Sequence, residues 1–149
     1  MSDRILVPVD GSPLSRRAFE VACEEYPGAD ITALHVIDPT EPGYSVFGVD
    51  FDPRSEPLHG SDAWYERAEE LGEELFDELA QTAAEYDTSL RTETIVGRPG
   101  REIVEYATDA DIDHIVVGSH GRGDEMRHLL GSVTEAVAFR APMRVSLIR

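Results

Sequence analysis

His114-Ile115-Val116-Val117 runs into Gly118-Ser119-His120-Gly121-Arg122-Gly123-Asp124-Glu125-Met126-Arg127-His128-Leu129-Leu130 and then into Gly131-Ser132-Val133. The first four residues read as a short strand covered on both faces. Gly118 to Leu130 is polar and punctuated by glycine, which reads as a loop. From about Ser132 to Arg140 the chain reads as a helix, Ala141-Pro142 breaks it, and Val145 to Ile148 reads as a closing strand. Strand, glycine loop, helix and strand together make one unit of a parallel α/β sheet.

The residues upstream repeat the alternation. Ile5-Leu6-Val7-Pro8-Val9 is a first buried strand, and Ile31 to Ile37 a second. Between them Ser12 is placed to cap a helix that has Pro13 at its first position. Leu14, Ala18, Val21 and Ala22 recur at helical spacing, and Pro27-Gly28 ends that element. Asp62 to Tyr86 reads as one long amphipathic helix with Trp64, Ala68, Leu71, Leu75, Leu79 and Ala83 as its apolar stripe. Leu90 to Val96 is a third strand whose mixed texture fits a sheet edge, and Ile103, Val104 and Ala107 mark a short third helix.

Strands joined by helices must pair in parallel, and right-handed crossovers leave few topologies. The simplest is an α/β fold with an open five-stranded parallel sheet in the order 3-2-1-4-5 and helices on both faces. The whole chain, 1–149, is expected to form one domain. Residues 39–60 interrupt the alternation with Pro39, Pro42, Gly43, Gly48, Pro53, Pro57 and Gly60. This stretch is expected to be a flexible loop. Its Tyr44, Phe47 and Phe51 fit packing, a dimer contact or a cover for a ligand.

In a sheet of that order the winding reverses between strands 1 and 4, and ligands bind outside the carboxyl ends of strands at such a point. Asp10-Gly11 and the glycine loop both fall there. Gly131-Ser132 begins a helix, where free N–H groups and the positive end of the dipole suit an anion. A triphosphate can lie against them, with the Ser132 hydroxyl donating a further bond and Arg122 a charge-assisted one. By themselves these residues fit equally well an ordinary tight loop capped by Ser132. Asp10 fits a turn cap as well as a ligand contact.

Composition narrows the partners. Thirty acidic residues face thirteen basic ones, a net charge of −17, and every basic residue is arginine. With no lysine, a Walker A loop and lysine Schiff-base chemistry are both excluded. No basic face is available for nucleic acid. No apolar run is long enough to cross a bilayer, and no signal-peptide core precedes the first strand. Cys23 is the one cysteine, which excludes an internal disulfide and fits a cytoplasmic protein. Its helical position fits a small buried hydrophobe. So acidic a chain suits a salt-rich, halophilic cytoplasm, although an ordinary cytoplasm also holds acidic proteins.

The spacing Gly118-x2-Gly121-x9-Gly131-Ser132 matches the motif G-2x-G-9x-G-S/T of the universal stress protein family, which the chain resembles along its whole length. The opening Ile5-Leu6-Val7-Pro8-Val9-Asp10-Gly11-Ser12, the segment His35-Val36-Ile37 and the closing Ala141-Pro142 are also similar to that family. The resemblance implies an ATP-binding regulatory module of the stress response that takes ATP, AMP or another adenine nucleotide. Pro8, Val9 and Val36 would line the adenine, and Asp10 would meet the ribose or the region near the phosphates. Gly118, Gly121, Gly131, Ser132 and Val133 would hold ribose and phosphates, and Mg²⁺ would be carried mainly by the phosphates. Many members form homodimers through the last strand. Two departures stand out: Asp124-Glu125 where small or apolar residues are common, and Arg144 where proline is common.

Two other classes stay open at this level: a slow nucleotide hydrolase or phosphotransferase, and a structural dimer without nucleotide. The enzyme reading lacks a Gly-x-Ser-x-Gly elbow and any metal spacing among the five histidines. Only His120 and His128 stand in or beside the loop, where each fits a plain polar loop residue as well as a proton carrier. The charge yields a first prediction. Self-repulsion at −17 is relieved by screening, so the melting temperature should rise by several degrees between low and molar salt. A flat profile would contradict it.

Overall fold

The computed structural model describes residues 3–40, 60–119 and 131–149. Five strands are present among them: β1 (Arg4–Pro8), β2 (Asp30–Ile37), β3 (Ser89–Val96), β4 (His114–Gly118) and β5 (Arg144–Ile148). Between them run helices α1 (Pro13–Glu25), α2 (Asp62–Glu85), α3 (Pro99–Asp109) and α4 (Ser132–Arg140). The sheet order is β3-β2-β1-β4-β5 and every pairing is parallel, as expected from the alternation. Most of the stretch 39–60, with Tyr44, Phe47 and Phe51, lies outside the described residues.

The burial pattern explains the order. β1, β2 and β4 are buried along almost their whole length, because helices cover both faces. Side chains alternate between two cores. Ile5, Val7, Ile31, Ala33 and Val116 pack under α1 and α2 with Phe19, Ala22, Leu75 and Leu79. Leu6, Leu34, Val36, Ile115 and Val117 pack on the other face with Ile103 and Ala107 of α3 and Val137 of α4. β3 and β5 are far more exposed and form the two edges. Cys23 is buried within the first core, and burial raises its thiol pKa, so it behaves as a packing residue.

Local signals set the helix boundaries. Ser12 caps α1 by accepting the Ser15 N–H at 3.2 Å, with Pro13 as its first residue. Ser61 caps α2 by accepting the Trp64 N–H at 3.1 Å. Gly72 sits mid-helix in α2, where glycine costs about 1 kcal/mol relative to alanine. A Cβ there would come within 2.7 Å of His35 Nδ1, so the glycine gives the imidazole of β2 room against the helix.

His35 is fully buried, and desolvation pushes its pKa down from 6.5 to about 4. The folded state therefore resists protonation while the unfolded chain accepts it. The stabilisation is present above about pH 6.5 and is lost as the pH falls toward 4. Between pH 7 and 5 the loss from this one group should be about 2 kcal/mol. Denaturant unfolding of the wild type and His35→Phe at both pH values measures it. The variant should lack that share of the pH dependence, and parallel profiles would contradict the account.

Candidate functional site

The site is built from the carboxyl ends of β1 and β4, which are neighbours in the sheet although β2 and β3 intervene in sequence. At the end of β1, Val9 still belongs to the sheet, its N–H donating to the Leu34 carbonyl at 2.9 Å. The chain then turns through Gly11, whose φ of +80° lies where a Cβ is disfavoured. Asp10 closes the turn. Its Oδ1 accepts the Ser12 N–H at 2.9 Å, and its own N–H donates to Ser15 Oγ at 3.4 Å. Arg16 ties this turn to α2. Its Nη1 donates to the Gly11 carbonyl at 2.6 Å, while Nε and Nη2 donate to Glu78 Oε2 at 3.1 and 3.0 Å.

Asp10 is 4% exposed, and Oδ2 has no partner among the described residues. One carboxylate oxygen thus serves the turn, and the other remains an acceptor at the strand end. The capping role expected for Asp10 is real, and it leaves capacity for a hydroxyl donor.

At the end of β4, Gly118 is the last strand residue, in register with Ile148 of β5, where the sequence reading had begun the loop. Ser119 follows, donating its N–H to the Ile148 carbonyl at 2.7 Å and accepting the Gly131 N–H at 2.8 Å. Ser119 and Gly131 are thereby tied to each other. Gly121 and Arg122, together with His120 and His128, lie outside the described residues.

Helix α4 runs from Ser132 to Arg140, the bounds read from the sequence, and only the cap differs from a loop capped by Ser132. Gly131 is the N-cap and Ser132 the first helical residue, so the helix has no side-chain cap. Gly131 has φ −72° and ψ 161°, extended backbone open to any residue. What glycine supplies here is the lack of a side chain beside the helix end. Glu135 N–H makes the first intrahelical bond, to the Gly131 carbonyl at 2.8 Å. The N–H groups of Ser132, Val133 and Thr134 have no acceptor among the described residues, the expected state of an uncapped first turn. Ser132 is exposed, while Val133 packs against the second core.

The third corner is the end of β2. Val36 packs on the face of α3 and α4, whereas Val9 packs on the face of α1 and α2. Pro8, which closes β1, is buried. Asp38, just beyond β2, is 5% exposed and accepts both the Thr40 N–H at 2.8 Å and its hydroxyl at 2.7 Å through Oδ1. A second buried carboxylate thus stands at a neighbouring strand end. Asp38, Arg16, Ser119 and Thr134 were not singled out by motif, because their roles depend on contacts across the sheet.

The model of the family described as "Universal stress protein family" matches residues 1–149. The chain belongs to the universal stress protein family. A universal stress protein of Methanocaldococcus jannaschii is 31% identical over 98% of this chain and 81% of its own length. Some mycobacterial universal stress proteins are longer, and the chain spans 45% of their length. The solved structure of UspA, a universal stress protein from Lactobacillus plantarum, is 30% identical with a TM-score of 0.73, covering 99% of this chain and 97% of that one. A universal stress protein solved in complex with cAMP shares the fold at 23% identity and a TM-score of 0.70, covering 99% and 97% of the two chains.

The uncapped helix start can be tested by filling it. Gly131→Val should fold, since valine accepts the extended backbone of this position. Its side chain would intrude beside the open N–H groups. Displacing one charge-assisted bond costs about 1.5–3 kcal/mol, roughly a 10- to 100-fold loss of ATP affinity. Calorimetric titration in high salt measures it, and an unchanged affinity would remove this helix start from the site.

Proposed function

We propose that this universal stress protein is a cytoplasmic regulatory module that binds ATP or a close adenine nucleotide at the carboxyl ends of β1 and β4. The observation that carries the reading is the pairing of an uncapped helix start, with three N–H groups lacking acceptors among the described residues, and a buried aspartate with one oxygen open. Aligned N–H donors and the helix dipole favour anionic oxygens, and a carboxylate accepts from a ribose hydroxyl. A lysine-free chain has few other ways to hold phosphates. The family relationship supports the reading, and the cAMP complex of a protein with this fold agrees with an adenine ligand.

In this reading Gly118, Gly121, Gly131, Ser132 and Val133 surround the ribose and phosphates, and Arg122 adds a cationic contact. Pro8, Val9 and Val36 form the surroundings of the adenine, with the two valines contributing from opposite faces of the sheet. Mg²⁺ accompanies the triphosphate on the phosphate oxygens; among the described residues no group of three His, Cys, Asp or Glu side chains stands ready to hold a metal. No helix among the described residues is long and apolar enough to cross a membrane.

A homodimer through β5 is part of the same proposal. β5 is an edge strand whose outer backbone is unpaired by any described strand, and Leu147 on it is 39% exposed. A symmetric pairing would cover both.

The test is binding and turnover together. ATP should bind in molar salt with a stoichiometry of one per chain and with hydrolysis far below the 1 s⁻¹ scale of ordinary enzymes. Rapid turnover would replace the regulatory reading with an enzymatic one, and no binding at any salt concentration would end it.

A further inference from the structure

The first turn of α4 is held to the exit of β4 by two hydrogen bonds one helical turn apart. Gly131 N–H donates to the Ser119 carbonyl at 2.8 Å, and Thr134 Oγ1 donates to the Gly118 carbonyl at 2.7 Å. Two such bonds fix both the position and the rotation of a turn. The first is backbone to backbone. The second alone comes from a side chain.

Thr134 is 3% exposed, and its hydroxyl reaches 16 positions back along the chain. A threonine near a helix start more commonly bonds a carbonyl within its own helix or faces water. Here it spans from helix to sheet. Its own N–H belongs to the open set, together with those of Ser132 and Val133. The side chain that aims the turn and the backbone that would meet the anion therefore lie in one short segment. Gly118, the acceptor, is fixed in turn by its register with Ile148. The aim of the three N–H groups is thus referred to the sheet.

We propose that Thr134 is a positioning residue for phosphate recognition, holding the open N–H groups of α4 toward the end of β4 through its bond to the Gly118 carbonyl. This rests on the adenylate reading above. Charge-assisted bonds are directional and lose strength steeply with misalignment, so loosening the turn weakens the phosphate contacts. The nucleoside contacts at β1, including Asp10, do not pass through Thr134.

Titration with ATP and with adenosine separates these contributions. Thr134→Val, nearly the same shape without the hydroxyl, should lose about tenfold in ATP affinity and keep its adenosine affinity. Thr134→Ser, which retains the hydroxyl, should restore most of the ATP affinity. Equal ATP affinity in wild type and Thr134→Val would overturn the proposal, as would a parallel loss for ATP and adenosine, which marks a merely structural role. Thr134→Ala serves if the valine variant does not fold, and failure of both hydroxyl-free variants to fold would also assign the residue to structure alone. If the wild type binds neither ligand, the adenylate reading itself has failed.

Discussion

A helix that begins on glycine leaves its first N–H groups without a side-chain acceptor, and at the carboxyl end of β4 this determines what the site can bind. Gly131, the N-cap of α4, has no side chain to accept a bond, so Ser132, Val133 and Thr134 present donors that no described residue accepts. A surface helix leaves such donors to water. Here the start of the helix is tied to Ser119 and Gly118, and the neighbouring strand ends in the buried carboxylate of Asp10. The sheet order makes these neighbours, because the chain winds one way from β1 to β3 and the other way from β4 to β5.

In the proposed reading the same arrangement reconciles a polyanionic ligand with a chain of net charge −17. Long-range repulsion between protein and nucleotide acts over the Debye length, about 10 Å at 0.1 M salt and about 3 Å at 1 M. Hydrogen bonds from the helix start act at contact distance and are screened far less. Salt therefore removes the unfavourable part of the field and leaves the favourable part. In the proposed reading, fixed backbone donors take the part that other phosphate-binding loops share with a lysine.

Much of the fold was legible because the apolar runs and the punctuation agree. Ile5–Val9, Ile31–Ile37 and His114–Val117 mark buried strands, and the mixed texture of Leu90–Val96 marks an edge; each strand lies within one residue of its reading. Ser12-Pro13 marks a helix start for the same physical reason that it caps one. The candidate site stands in the sequence as a spacing of glycines and as a place in the topology, but its bonds do not. Whether Ser132 or Gly131 caps α4 depends on one residue of register, which a pattern leaves undetermined. The resemblance assigns Val9 and Val36 to the same adenine surroundings, yet strand alternation sends their side chains to opposite faces. Thr134, Asp38 and Arg16 act through partners that sequence does not bring together. His35 is similar: its perturbation comes from burial against a glycine in a distant helix.

The most direct measurement is an amide-resolved NMR titration of the isotopically labelled protein with ATP. The account predicts that the largest downfield proton shifts fall on the amides of Ser132, Val133 and Thr134, as each N–H acquires a phosphate oxygen. Saturable binding that leaves those three amides unmoved would contradict it.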